Sequence, residues 1–500
     1  MKKIKSNFLT VAVLIATIVF ISGCSKDWLD VNTDPNNASE ASVELVFPSG
    51  VVSVASQTGG YYNLVGGFWS QYWSQSNAAN QYKYIDQYQI NSGDFNRMWR
   101  EMYSGALSDL NYVIDEAEVN GNWSYYLMGT VSQAYAFAYM VDFFDDIPYS
   151  EAFLGNAESP NLSPKFEKGY DVYKDLIIRI DNALSKEFND LSDAEKKADF
   201  VFGGDINKWI QFANTLKLKM YLRMAYSHPS EAEAGVKALY SANAEFLNSD
   251  AGLDIFIDAE NKDNPLYGAN NRKLNVATNL RMSATLYYYF EGNSDPRLSY
   301  HMTGGTKPMP QGGFNIPSTQ LLPTDVVIYA LRATDPVYFI SEVESYLLQA
   351  EAIIRNWGTG DAKALYDAAI TAEFARKGLA GQEVALIAAD GVYEYPSEGS
   401  FDDQLKAIIM AKWAAFAGSQ CTEAFFETNR TGYPEVSSIP SWADGAFNDE
   451  YVGGKLTYSL EGTTNAVFPA RMIYPQDEVN LNGNFPGQTN VTDKVWWDKN

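Results

Sequence analysis

Apolar residues recur at helical spacing along this chain, stopped by glycines and restarted by capping residues, and that pattern limits the folds open to it. Tyr346, Leu347, Ala350, Ile353, Ile354 and Trp357 stand at i, i+1, i+4, i+7, i+8 and i+11, on one helical face. Gly358 and Gly360 end that helix and Asp361 offers an N-cap oxygen. Ala364, Leu365, Ala368, Ala369 and Ala372 then carry a second apolar face. The reading is a helix hairpin whose alanines let the two axes approach closely.

Similar hairpins recur. A tetratricopeptide unit ends in a small residue, a large apolar residue four positions on, and a helix-stopping proline. Ala136 and Met140 with Pro148 resemble this, as do Thr422 and Phe426 with Pro434; Ala362 and Tyr366 fit but have Phe374 at the proline position. Further helices are expected over 97–118, 170–187 and 207–226, where Trp209, Phe212, Ala213, Leu216 and Met220 share a face. The fold class is therefore mainly α, built from tetratricopeptide-like helix pairs, with an unrelated helical bundle as the alternative. Two stretches differ. Residues 261–336 and 433–500 are loop-rich, and in the first of them prolines and glycines such as Pro265, Gly268, Pro308 and Pro310 break any long helix. Long loops on a rigid scaffold are where binding residues usually sit.

Composition excludes several functions. Against 37 Lys+Arg stand 62 Asp+Glu, and the net charge of −25 repels phosphate backbones, so nucleic acid is not expected as a partner. His228 and His301 are the only histidines and have no neighbouring cysteine, which argues against a zinc site. Asp30, Asn32 and Asp34 imitate the start of an EF-hand loop, but Pro35 and Ala41 occupy the positions of its glycine and bidentate glutamate. No phosphate loop, dinucleotide fingerprint or nucleophile elbow is present. Pairs such as Asp145 with Asp146 and Glu342 with Glu344 read as solvated helix faces and loop caps. No catalytic residue, metal or cofactor is expected.

The N-terminus is a processing signal. Lys2, Lys3 and Lys5 precede an apolar stretch from Phe8 to Ile21, and Ile21-Ser22-Gly23-Cys24 looks like a bacterial lipobox. Residues 1–23 are read as a lipoprotein signal peptide, Cys24 as the acylated residue, 24–42 as a polar tether and 43–500 as one helical domain. No later segment offers about 18 uncharged apolar residues, so the membrane is met through lipid alone.

Aromatic residues make up 14% of the chain, more than packing usually requires. They are interleaved with amides from Phe68 to Tyr84. Trp69 and Trp73 read as i,i+4 neighbours on a helix, with core burial as the competing reading, followed by a polar loop presenting Asn77, Asn80, Tyr82 and Tyr84. Flat rings can stack on a sugar while amides satisfy its hydroxyls. With Tyr267, beside Pro265 and Gly268 in the central region, these residues form the candidate ligand face. Of them Tyr82, Tyr84 and Tyr267 are expected to be most available, since no helical face calls for their burial.

Several segments together resemble the SusD/RagB outer-membrane lipoproteins of Bacteroidetes-type bacteria. They are Trp28-Leu29-Asp30-Val31-Asn32-Thr33-Asp34-Pro35-Asn36, Asp146-Ile147-Pro148-Tyr149-Ser150-Glu151-Ala152, Asp295-Pro296-Arg297, Glu344 to Glu351, Asn429-Arg430-Thr431-Gly432-Tyr433-Pro434 and Arg471-Met472-Ile473-Tyr474-Pro475. The resemblance implies a right-handed superhelical scaffold with long loop-rich insertions. It also implies a non-catalytic protein facing the cell exterior, which binds an oligosaccharide or a peptide. The implied partner is a SusC-like TonB-dependent barrel, covered as by a hinged lid. Ser25-Lys26-Asp27 is compatible with surface export, though short of acids. A carboxylate-based glycosidase and a protein-binding scaffold remain open as alternatives.

If Cys24 carries the anchor, Cys24→Ala releases the mature chain from the outer-membrane fraction. A variant that still sediments wholly with the membrane, through its own chain, would show another anchor.

Overall fold

The computed structural model describes residues 41–156, 160–274 and 276–499. The signal peptide, Cys24 and nearly all of the tether lie outside them. The longer helices are α1 (Val43–Thr58), α2 (Tyr61–Trp69), α3 (Ser108–Val119), α4 (Trp123–Phe144), α5 (Gly169–Leu184), α6 (Ile206–Arg223), α7 (Pro229–Ser241), α8 (Ala284–Gly292), α9 (Glu342–Ile354), α10 (Ala362–Arg376), α11 (Phe401–Phe416) and α12 (Cys421–Thr431). The pairs α3–α4, α6–α7, α9–α10 and α11–α12 pack as hairpins, and α5 packs on α4. The fold is mainly α and tetratricopeptide-like.

Local sequence explains these elements. The hairpin anticipated around Gly358 is α9–α10, and Asp361 Oδ1 accepts from Ala364 N at 3.0 Å. Asp205 caps α6 in the same way, accepting from Asn207 N and Lys208 N. The helix expected over 97–118 is present with an insertion: Asn96–Glu101 runs through a π-turn, Met102–Leu107, into α3. Helix α4 is apolar nearly all round, so it lies buried at the centre and has no solvent face.

The central region, 261–336, holds short strands and α8 between loops. Strands β1 (Trp73–Gln75), β2 (Ala251–Leu253), β3 (Leu280–Met282), β4 (Met302–Thr303), β5 (Ile328–Tyr329) and β6 (Val337–Ile340) form two small sheets. One is antiparallel in the order β1-β3-β5-β4, with Trp73 opposite Met282 and Gln75 opposite Leu280. In the other, β2 pairs with β6. Strand β1 thus ties the central region to the helical body.

A network of ten charges lies inside the helical body. Asp142 of α4, Glu344 and Glu351 of α9, and Glu423 and Glu427 of α12 face Lys219 and Arg223 of α6, Arg355, Lys412 of α11, and Arg430. Arg223 reaches Glu427 at 2.7 Å, Glu423 at 2.7 Å and Asp142 at 3.2 Å. Arg430 holds Glu351 and Glu427, each at 2.6 Å. Lys219 bridges Glu344 and Glu423 at 2.8 Å. Glu344 is therefore no solvated helix face, as its spacing suggested, but a fully buried partner in this network. Burial opposes the charge on Glu427, yet Arg430, Lys412 and Arg223 hold its carboxyl well below the usual range.

Removing one partner from a buried pair strands the others. Arg430→Met is expected to cost about 3–5 kcal/mol in urea unfolding. Lys237→Ala, which loses an exposed pair with Glu233, is expected to cost less than about 1 kcal/mol. Equally small losses in both variants would show that the network does not hold the helices.

Candidate functional site

The site grows from the end of α2. After Trp69 the chain turns back through Gln71, whose φ is 59°, and Trp73 folds onto the helix it has just left. A Cβ on Gly67 would lie 2.0 Å from the Trp73 ring, and one on Gly66 would lie 2.4 Å from the Thr422 backbone nitrogen. Glycine at both positions permits this closeness. The two tryptophans are thus not i,i+4 neighbours on one helix, because α2 stops at the first. Both are core residues: Trp69 Nε1 donates to the Ile85 carbonyl and Trp73 Nε1 to the Leu64 carbonyl.

Beyond β1 the loop is held from below. Asp86 is fully buried, and its carboxylate accepts from Ser74 Oγ (2.7 Å), Gln75 N (2.7 Å), Gln311 Nε2 (2.5 Å) and Gly312 N (3.1 Å). One carboxylate so joins β1 to the central region more than 200 residues away. Asn77 Nδ2 donates to the Leu321 and Ile316 carbonyls, which makes Asn77 a loop anchor. Tyr82 departs from expectation. Its ring is 3% exposed and packs edge-on against Phe68, because Gln75 Oε1 accepts from its backbone N–H at 2.7 Å and draws it inward. Tyr84 is half-buried, its hydroxyl hydrogen-bonded to that of Tyr61. Tyr267 is half-buried on a short turn capped by Asn264, with the Arg272 guanidinium 5.3 Å from its ring.

Above this support lies a cleft of about 540 Å³. Asn80, Gln81 and Lys83 face Lys273, Leu274 and Asn279 across it. Lys83 lies 4.9 Å from the Phe314 ring and donates to Asn315 Oδ1 at 3.3 Å. Of the residues singled out from sequence, only Asn80 lines the cleft; Asn77 and Tyr82 anchor the loop that carries it, and Tyr84 and Tyr267 also stand outside the lining. Gln81, Lys83, Lys273 and Asn279 were missed. Gln81 and Lys83 lay within the aromatic and amide stretch, whereas nothing in the spacing of 273–279 marks that segment. Among the described residues amides and ammonium groups line the cleft and no carboxylate does, so it suits hydroxyls or an anionic group.

Burial pushes Asp86 up to about 7, against the pull of its four donors. The folded state then binds this proton more tightly than the unfolded chain, whose value is near 3.8. Its contribution to stability therefore falls as pH rises from about 4 to about 7. Asp86→Asn is expected to lessen the fall in thermal midpoint between pH 5 and pH 7.5. Identical slopes for both proteins would show that Asp86 remains ionised in the fold.

The chain is similar to known proteins in sequence and in fold. A SusD-like family described as starch-binding, associating with outer membrane, matches residues 35–459. No curated protein matches the sequence. Among solved structures, a SusD homologue from Bacteroides uniformis superposes with a TM-score of 0.70 at 20% identity, covering 91% of this chain and 99% of that one. A chitin-binding SusD homologue from Flavobacterium johnsoniae gives 0.71 at 18% identity, covering 92% and 99%. A SusD/RagB family protein from Bacteroides thetaiotaomicron gives 0.71 at 22% identity, covering 92% and 99%. These likenesses establish the fold. With the family match running through both the helical body and the central region, the chain belongs to the SusD-like family.

Proposed function

We propose that this protein is a lipid-anchored outer-membrane protein that captures an oligosaccharide at the cell surface and passes it to a SusC-like TonB-dependent barrel. The family match over 35–459 carries this reading, since SusD-like proteins are non-catalytic and bind nutrients at the outer membrane. The chitin-binding relative from Flavobacterium johnsoniae supports a glycan as the ligand class. Among the described residues no helix is long and apolar enough to cross a membrane, consistent with attachment through Cys24.

We place ligand contact at Asn80, Gln81, Lys83 and Lys273, where donors converge on a recess that can accept sugar hydroxyls, with the buried Asn279 amide donating to the Val276 carbonyl behind them. Trp69, Trp73, Asn77 and Tyr82 act from behind by fixing the loop, with Tyr84 and Tyr267 flanking it. A peptide is the second reading. Lys83 and Lys273 form no ion pair among the described residues, so a peptide carboxylate would find unneutralised ammonium groups there.

Calorimetric titration with chitohexaose, maltoheptaose and an acidic peptide tests both readings. Asn80→Ala and Lys83→Ala are each expected to weaken the bound ligand about fivefold with an unchanged thermal midpoint. Tyr82→Ala is expected to lower the midpoint instead, because its ring is buried. Unchanged affinity in both cleft variants would move the site elsewhere. Binding of the peptide alone would favour the second reading.

A further inference from the structure

A second cleft, of about 620 Å³, opens elsewhere on the molecule. It lies between β2, the 329–338 segment, the C-terminal end of α10 and the turn joining α11 to α12. Three cations line it, and aromatic faces help to hold them. The Arg332 guanidinium lies 3.7 Å from the Tyr300 ring and Lys377 Nζ lies 4.5 Å from the same ring, while Arg376 lies 4.9 Å from that of Tyr338. Carboxylates pair with two of the three, and Arg332 is the exception. Arg376 and Lys377 share Glu373, at 3.2 and 3.1 Å, and Arg376 also reaches Asp250 at 3.5 Å. Arg332 donates to the Tyr300 carbonyl at 2.6 Å and makes no ion pair among the described residues.

Beneath them is His301, 2% exposed, one of the residues lining the cleft. Its Nδ1 is engaged by the Tyr329 hydroxyl at 2.9 Å, and its Nε2 has no hydrogen-bond partner. A buried imidazole nitrogen left unsatisfied at the base of a cleft is costly unless a ligand or water reaches it. Burial, and after it Lys377, Arg297 and Arg332, hold the imidazole well below its usual value, so it is neutral.

We propose that this cleft is a second binding site, distinct from the one at Lys83 and Lys273, which takes the carboxylate of a small singly charged ligand through Arg332, Lys377 and His301 Nε2. A planar guanidinium edge and an N–H donor suit a carboxylate. A doubly charged phosphate fits less well, because Asp250, Asp254 and Asp335 also line the cleft. A uronic-acid sugar and the C-terminus of a peptide both supply this chemistry.

The chain has only two histidines, so the ring signals of His301 can be assigned by comparison with His228→Gln. The full-length protein is titrated with glucuronate and with acetyl-Ala-Ala, using glucose and acetyl-Ala-Ala-amide as neutral counterparts and inorganic phosphate as a third arm. Saturating shifts of the His301 signals are expected with one or both carboxylates and not with their neutral counterparts. Which carboxylate binds more tightly identifies the source. Arg332→Ala is expected to weaken that binding about tenfold or more, with Arg332→Lys intermediate. Absence of any carboxylate-induced His301 shift, tighter binding of phosphate than of either carboxylate, or full affinity in folded Arg332→Ala would overturn the proposal.

Discussion

Five carboxylates and five cations buried among α4, α6, α9, α11 and α12 govern how these helices meet. Apolar faces alone would press the helices together without selecting one register, because hydrophobic attraction is non-directional. A desolvated charge is less forgiving: each costs several kcal/mol unless a partner is placed against it. Arg223 satisfies this with carboxylates from two helices, and Arg430 with one from its own helix and one from α9. Sliding any of these helices by one turn would break several ion pairs at once. The network is thus a set of positional constraints more than a source of net stability.

Those constraints extend to the loop face. Helix α12 carries three members of the network, and its first turn is bound to α2. Cys421 N–H donates to Asn63 Oδ1 at 2.9 Å, and Ser70 Oγ donates to the Cys421 carbonyl at 3.0 Å. From α2 the chain passes through the reversal at Gln71 into β1 and then to Asp86, which gathers donors from β1 and from Gln311 and Gly312 of the central region. The cleft at Lys83 is therefore a continuation of the helical packing. Its residues stand on loops and short helical turns, and Trp69, Trp73 and Tyr82, next to them in the chain, pack in the core.

The distribution of charge fits a binder of small molecules. A chain of −25 repels anions over most of its surface, so a cation that lacks a carboxylate partner is conspicuous. Among the described residues no carboxylate lines the recess of Lys83 and Lys273, and Arg332 rests on the Tyr300 ring without an ion pair. A tetratricopeptide-like body can serve this purpose because its hairpins bury their own faces and leave the loops and the central region to recognise a ligand.

Much of the helical body was legible in the sequence. Helical period, glycine stops and capping oxygens are set by residues within a few positions of each other, so α9, α10, α5 and α6 and the loop-rich character of 261–336 could be read without coordinates. Other features required contacts distant in sequence. Glu344 has the spacing of a surface acid and is buried only because Lys219 meets it. Tyr82 stands in a polar stretch, yet its ring turns inward because Gln75 and Phe68 receive it. Asp86 is fixed by Gln311, and Lys83 acquires an opposite wall only when 273–279 folds beside it. Local backbone preference was therefore determined by the sequence alone. Which polar groups are buried, paired or left facing a ligand was decided by tertiary structure, because desolvation and charge pairing depend on neighbours that the chain brings together only on folding.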